Sequence, residues 1–299
     1  MKKIKKKYKF SGHQTFVLRF GWLEKAFSFV SQGNKFSDPN AIVDLGVGKN
    51  MVESIRYWSE LTGIIEDGAP TDFGYRLLNE KNGWDPFLED NASWWLIHWR
   101  LNANPIYQTT GTALFSFLRK PEFSKYDVAE AVLRLIPSER QVPSENIIMR
   151  DVDCYIRSYC RIRRFEVKKV VQKELFECPL QDLNLIQPMI DGGMFRFAIG
   201  RKAFLPPEII GYAICEYLAR RNKQSATVQE LLYKECSPGQ VFMLDENALL
   251  DAVQQLQEHH IWGDKFNFTE SSGIAQIYCA VEKGMANLLL ESYYHRGEF

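Results

Sequence analysis

The stretch from Asp38 to Leu78 constrains the fold more than any other part of the chain. Asp38-Pro39 reads as a helix start: Asp offers an acceptor to an orphan N–H, and Pro loses nothing at the first helical position because it has no N–H to satisfy. The short helix Asn40–Leu45 stops at Gly46, and a second helix runs from after Gly48 to about Thr62. At about 3.6 residues per turn, this second helix puts Met51, Val52, Ile55, Trp58 and Thr62 on one side. Lys49, Asn50, Glu53, Arg56, Tyr57 and Glu60 fall on the other. Gly63–Ile65 reads as a strand, Glu66–Pro70 as a turn and Thr71–Leu78 as the returning strand. Helix, glycine turn, amphipathic helix and hairpin, in that order, predict a winged helix-turn-helix.

The last third repeats this grammar. Pro207–Arg221 is a helix, and Thr227 with Glu230 forms a capping box that opens a second one through Lys234. Asp245 caps a third, with Ala248, Leu249, Ala252, Val253 and Leu256 on its apolar side; Trp262–Phe268 and Ile274–Tyr278 read as a wing. Between the two lie helical patterns: Asn91–Leu101, carrying Trp94, Trp95, Leu96 and Trp99, then Val128–Leu135 and Ile147–Arg164. Gly192-Gly193 followed by alternating Phe195, Phe197 and Ile199 suggests a turn and a strand. The expected fold is mainly α with small β wings. Residues 1–90 form an N-terminal winged helix-turn-helix domain, 91–190 a helical middle region rich in aromatics and arginine, and 191–299 a C-terminal winged-helix-like domain.

Charge and cysteine content narrow the function classes. Lys+Arg and Asp+Glu balance at 37 each, so DNA binding has to come from local basic surfaces rather than bulk charge. A hydrophobic share of 45% is too high for a disordered chain. The six cysteines show no C-x-x-C pair and read as reduced, mostly buried thiols. No apolar core follows the N-terminal lysines, and no window approaches the roughly 20 apolar residues of a spanning helix. A cytoplasmic protein with no membrane association is expected.

Several polar residues could carry chemistry. Lys49, Asn50, Arg56 and Tyr57 suit contacts to base edges and phosphates, whereas Lys49–Glu53 and Arg56–Glu60 also read as a self-paired, solvated face. Arg150, Arg157, Arg161, Arg163 and Arg164, with Lys168, Lys169 and Lys173 beyond, suit a phosphate-tracking patch or a solvated face with an Asp153–Arg157 pair. The third helix of the C-terminal module shows only Glu246, Asp251, Gln254, Gln255 and Glu258 outside, which fits a homodimer or partner surface rather than a groove. His13, near Arg19, suits a loop general base or a structural histidine. Asp151 and Asp153 suit a divalent ion such as Mg²⁺ or Mn²⁺, although residues two apart on a helix point apart. Asp85, Glu89 and Asp90 read as a turn and helix cap, and His98 as a core histidine. Gly46–Lys49 is no phosphate loop, because Val43 and Asn50 stand where glycine and Ser or Thr are needed.

Taken in order, Ser11–Phe16, Arg19–Trp22, Leu45–Val52, Ser54–Trp58, Gly83–Asp90, Trp95–Trp99, Arg150–Cys154 and Pro238–Glu246 resemble the SspB family of bacterial DNA phosphorothioation systems. The resemblance implies a part in antiphage defence, in which sulfur replaces a non-bridging phosphate oxygen in one DNA strand. It implies work beside a cysteine desulfurase, a sulfur-activating enzyme that uses ATP, and an ATPase. The implied task is to nick DNA so that sulfur can enter. Hydrolysis of this kind needs a positioned water, a base and positive charge against the developing phosphorane. His13, Arg19, Lys49, Arg56, Asp151 and Asp153 are the polar members of the matching phrases, and the resemblance assigns no role to any one of them. The family's acid at the position of Gln14 is missing here, which argues against that side chain as a required ligand. Two rival readings stay open: a non-catalytic winged-helix adaptor that recruits sulfur-transfer enzymes, and a transcriptional regulator. The mixed charge of Lys49–Glu60 disfavours the regulator.

Overall fold

Side-chain caps set most helix starts. Thr71, Asp90, Thr109, Ser124, Thr227, Ser237 and Asp245 each accept a backbone N–H of the helix that follows, satisfying a donor the helix itself leaves open. The computed structural model describes residues 7–104, 106–161, 178–190, 192–271, 273–280 and 284–295. Its first elements are β1 (Lys7–Tyr8), α1 (Trp22–Ser31), α2 (Ala41–Leu45), α3 (Lys49–Leu61), β2 (Ile65–Glu66), β3 (Ala69–Pro70), α4 (Asp72–Leu78) and α5 (Asn91–Asn102). Then come β4 (Tyr107–Gln108), α6 (Thr110–Thr112), which runs on into a π-helical turn at Ala113–Phe117, β5 (Glu122–Ser124), α7 (Lys125–Leu135) and α8 (Glu145–Tyr159). A 3-10 turn at Pro179–Leu183 precedes β6 (Ile186–Pro188) and β7 (Met194–Phe197). The remainder is α9 (Pro207–Ala219), β8 (Ser225–Thr227), α10 (Val228–Tyr233), α11 (Pro238–Phe242), α12 (Glu246–Glu258), β9 (Phe266–Ser271), β10 (Ile274–Cys279) and α13 (Met285–Tyr294).

The protein is mainly helical with small sheets, and it packs as two units. One comprises Met1–Leu88 and Asn104–Ala198, the other Glu89–Ala103 and Ile199–Phe299. This division cuts across the three segments read from sequence, since α5 packs with the C-terminal residues.

In the first unit, α3 buries Val52, Ile55, Trp58 and Leu61 as its spacing requires, and α1 supplies Trp22, Leu23, Ala26 and Phe27. Two local expectations change. Asp38 caps a turn, accepting Asn40 N at 2.8 Å, and α2 begins only at Ala41. Thr71–Leu78 is not a returning strand: the hairpin is two residue pairs long, Ile65 with Pro70 and Glu66 with Ala69. Thr71 Oγ1 then donates to Gly63 O at 2.6 Å and accepts Gly74 N at 2.9 Å, which starts α4 and buries Phe73, Leu77 and Leu78. Gly74 is required there, because a Cβ would lie 2.3 Å from the Ile64 carbonyl oxygen.

The middle region is less purely helical than its pattern suggests. Strands β5, β7 and β6 form an antiparallel sheet in that order, with Phe123 opposite Phe195 and Ile186 opposite Phe197. The second unit repeats the path: β8, β10 and β9 lie in the same spatial order, and Ala226 faces Ile277. In both sheets the last residue of the first strand, Ser124 or Thr227, caps the next helix, and the strand is later joined by the second arm of a hairpin. The helix expected over Ile147–Arg164 is α8, ending at Tyr159; Arg163, Arg164, Lys168, Lys169 and Lys173 lie outside the described residues.

In the second unit α5 is buried all round. Trp99 Nε1 donates to Glu216 at 2.8 Å, and His98 contacts Val241 O at 2.8 Å and Asn102 at 2.9 Å. Burial drives the His98 pKa down to about 3, so this histidine is part of the core. Helix α12 buries Ala248, Leu249, Ala252, Val253 and Leu256, the set its spacing picks out. All six cysteines are free thiols, and all but Cys236 are buried. Among the described residues, no helix is long and apolar enough to cross a membrane.

Candidate functional site

Helix α8 turns Asp151 inward and Asp153 outward, as the two-residue spacing requires. Asp151 is fully buried in the first unit and binds two distant parts of the chain. Its Oδ1 accepts Ser11 N at 2.5 Å and His13 Nε2 at 2.7 Å, and its Oδ2 accepts Thr110 Oγ1 at 2.5 Å. His13 is equally buried. Its Nδ1 accepts Thr15 N at 3.0 Å, so the ring proton sits on Nε2, facing the carboxylate. The ring lies among Tyr57, Trp58 and Tyr155, at centroid distances of 5.6, 6.1 and 6.2 Å.

The Ser11–Thr15 loop is strained. Ser11, Gln14 and Thr15 have φ of 61°, 47° and 68°, a region that costs side-chain-bearing residues energy. Gly12 presses on the Tyr57 ring, where a Cβ would come within 2.2 Å of Cδ2. Outside the clamp, Arg157 Nη2 donates to Thr15 O at 2.8 Å. One carboxylate and one guanidinium therefore hold the loop from opposite ends.

Two depressions flank this loop. Gln14 and Gly12 line one of about 380 Å³, together with Tyr8, Phe10, Glu53 and Tyr57. Thr15 lines the other, of about 520 Å³, with Asn146, Met149, Arg150, Asp153 and Arg157. Asp153 is half-buried between Lys125 at 2.5 Å and Arg157 at 2.8 Å. Burial disfavours its charge, but the two cations outweigh it and hold the carboxyl below its usual range. Glu60 follows the same logic: burial opposes ionisation, while hydrogen bonds from Lys9 and Arg56 bring its pKa down.

The other residues singled out from sequence are scattered over this unit. Lys49, Asn50 and Arg56 are exposed on α3, and Arg56 pairs with Glu60 at 2.7 Å. Tyr57 does not share that outer face. The N-terminal segment covers its flank of the helix, its hydroxyl reaches Lys9 O at 3.4 Å, and burial raises its pKa well above normal. Arg19 lies against the Phe16 and Trp22 rings, 5.4 Å from each centroid. Arg161 pairs with Asp182 at 2.7 Å, and Arg164 is outside the described residues. Sequence reasoning missed Thr110 and Lys125, the partners of Asp151 and Asp153; no local motif marks either. Among the described residues, no three His, Cys, Asp or Glu side chains converge as a metal cage. The oxygens of Asp151 and Asp153 are already engaged, so these two residues do not by themselves fit a resident ion.

A family model described as "Protein of unknown function (DUF4007)" matches residues 10–294. The chain belongs to this family. The match takes in the whole clamped loop of this DUF4007 protein, as well as Asp151 and both depressions except Tyr8 and Lys9. Two solved structures, an SspB crystal structure and a magnesium ion-bound SspB crystal structure, each align at TM-score 0.83 with 28% identity. Each alignment covers 96% of this chain and 88% of theirs, so the DUF4007 chain has an SspB-like fold. No curated protein matches it in sequence.

Proposed function

We propose that this DUF4007 protein is the DNA-engaging component of a single-stranded DNA phosphorothioation defence system. In this role it opens one strand by phosphodiester hydrolysis so that sulfur can be inserted. The observation that carries the reading is an SspB-like fold over 96% of the chain with an arginine-lined cleft next to the clamped loop. A backbone phosphate in that cleft meets Arg150 and Arg157, and α3 adds Lys49, Asn50 and Arg56 as the exposed helix of a winged helix-turn-helix. The acidic face of α12 is left for a second copy or for the sulfur-transfer partners, in the cytoplasm.

The His13–Asp151 pair has the form of a base with its orienting acid. Asp151 fixes the ring with the proton on Nε2, which leaves Nδ1 as the basic nitrogen. Thr15 N covers Nδ1, so His13 accepts a proton from water only when the Thr15 amide turns away. Loop opening and activation of the base are then one event. Mg²⁺ or Mn²⁺ would supply positive charge at the phosphorane, arriving with the phosphate and keeping several of its own waters.

One observation favours the adaptor as a second reading: both His13 nitrogens are engaged and the ring is buried. Supercoiled plasmid incubated with the purified protein and Mg²⁺ or Mn²⁺ separates the two. Nicking gives open circles that His13→Ala abolishes and chelation prevents. Salt-dependent binding that Arg157→Ala weakens, with no open circles under either metal, leaves the adaptor. Absence of DNA binding at low salt refutes both.

A further inference from the structure

The smaller depression, on the Gln14 side of the loop, is unlike the arginine cleft. Its two cations, Lys9 and Arg56, share a single carboxylate, Glu60. What it offers instead is a row of acceptors. Gln14 Nε2 donates to Glu53 Oε2 at 2.7 Å, a bond that does not use the Gln14 amide oxygen or Glu53 Oε1 as acceptors. Tyr8, Phe10 and the buried Tyr57 give it an aromatic lining. The Arg140 guanidinium lies 4.7 Å from the Tyr8 ring centroid and stiffens that wall.

This lining selects its occupant by elimination. A phosphate would meet the Glu53 carboxylate, and a cation would meet Lys9 and Arg56. A flat ring carrying adjacent N–H donors satisfies both the walls and the acceptors. The volume of about 380 Å³ is in the range of small-molecule pockets. Position agrees with chemistry: Gln14 lines this depression and its neighbour Thr15 lines the arginine cleft. A strand whose phosphate lies in the cleft can therefore turn a base across the loop.

We infer that the depression formed by Tyr8, Phe10, Gln14 and Glu53 receives an unpaired nucleobase with two donors on its pairing edge, namely guanine. Guanine N1–H and its 2-amino group present adjacent donors that match a carboxylate and an amide oxygen, while the ring stacks on the aromatic wall. Adenine and cytosine offer only an amino group on that edge, and thymine a single N–H. The inference rests on the proposed DNA-engaging role and adds to it a strand position that is read out of the helix.

The test uses the full-length protein and fluorescein-labelled single-stranded oligothymidines that differ only at one central position. That position holds guanine, hypoxanthine (guanine without its 2-amino group) or an abasic site. Anisotropy titration should give the tightest binding to the guanine strand and roughly tenfold weaker binding to the other two. Glu53 is exposed, so Glu53→Ala keeps the fold, and it should bring the guanine and hypoxanthine strands to a common affinity. Equal, salt-dependent binding of all three strands overturns the base pocket and leaves the DNA-engaging role standing. A guanine preference that survives Glu53→Ala also overturns it. No binding of any strand at low salt overturns the pocket and the role together.

Discussion

Replacing Asp151 with alanine tests the clamp most directly. The substitution strips acceptors from Ser11 N, His13 Nε2 and Thr110 Oγ1, the last two on fully buried side chains. Each stranded donor costs about 1–3 kcal/mol. Release of the left-handed backbone at Ser11, Gln14 and Thr15 offsets part of this, about 1 kcal/mol per residue. A net loss of about 3–5 kcal/mol is expected, read as a lower urea midpoint for tryptophan fluorescence, with faster tryptic cleavage at Lys9 and Arg19. Asp153→Ala removes the same charge two residues away, but its partners Lys125 and Arg157 stay in contact with water, so it should cost no more than about 1 kcal/mol. The His13→Ala, Asp151→Ala double variant should be less destabilised than the sum of the singles. If Asp151→Ala is no more costly than Asp153→Ala, the clamp is not what holds the loop.

Two further outcomes follow from the first unit. Burial of Glu24, reinforced by the nearby Asp85 carboxylate and only partly opposed by backbone hydrogen bonds, lifts its pKa from 4.5 to about 7. The fold therefore favours the protonated form: its contribution is full below about pH 4.5 and is lost as pH rises through about 7. Glu24→Gln should raise stability at pH 8 by about 1–3 kcal/mol, seen as a higher melting temperature, and change little at pH 4.5; equal effects at both values would contradict this. Gly12→Ala should cost about 1–3 kcal/mol through its collision with the Tyr57 ring and should alter the near-ultraviolet circular dichroism; an unchanged spectrum and melting curve would refute the close contact.

Local periodicity carried much of the fold. The buried stripes of α3 and α12 and the Thr227 and Asp245 caps are consequences of neighbours three and four residues apart, and sequence displays such spacings openly. Thr71–Leu78 misleads because Phe73, Tyr75 and Leu77 alternate like a strand. The competing signal, Thr71 as a cap, gains force only once Gly74 is seen against Ile64. Strand β5 is three residues long, and its partner β7 is some seventy residues away, too short and too distant to announce itself. The same distance hides the centre of the site: His13 and Asp151 are both visible as candidates, but the bond between them spans 138 positions. A helical wheel puts Tyr57 outward because it knows nothing of the N-terminal segment that covers it.

The discontinuous second unit has a consequence for synthesis. Helix α5 is complete once residue 102 has emerged, and it buries Trp94, Trp95, Leu96 and Trp99; Trp99 bonds Glu216 and Trp95 packs on Phe242, both made much later. At about 5–20 residues per second, the ribosome takes roughly 10–40 s to make the rest of the chain. The first unit is complete only at residue 198, and from there, for about half of that interval, it can finish folding around its own helices while an apolar helix in the middle of the nascent protein stands without its partners. The chain is thus most open to aggregation, or to capture by a chaperone, at a stage when the clamped loop is already able to close.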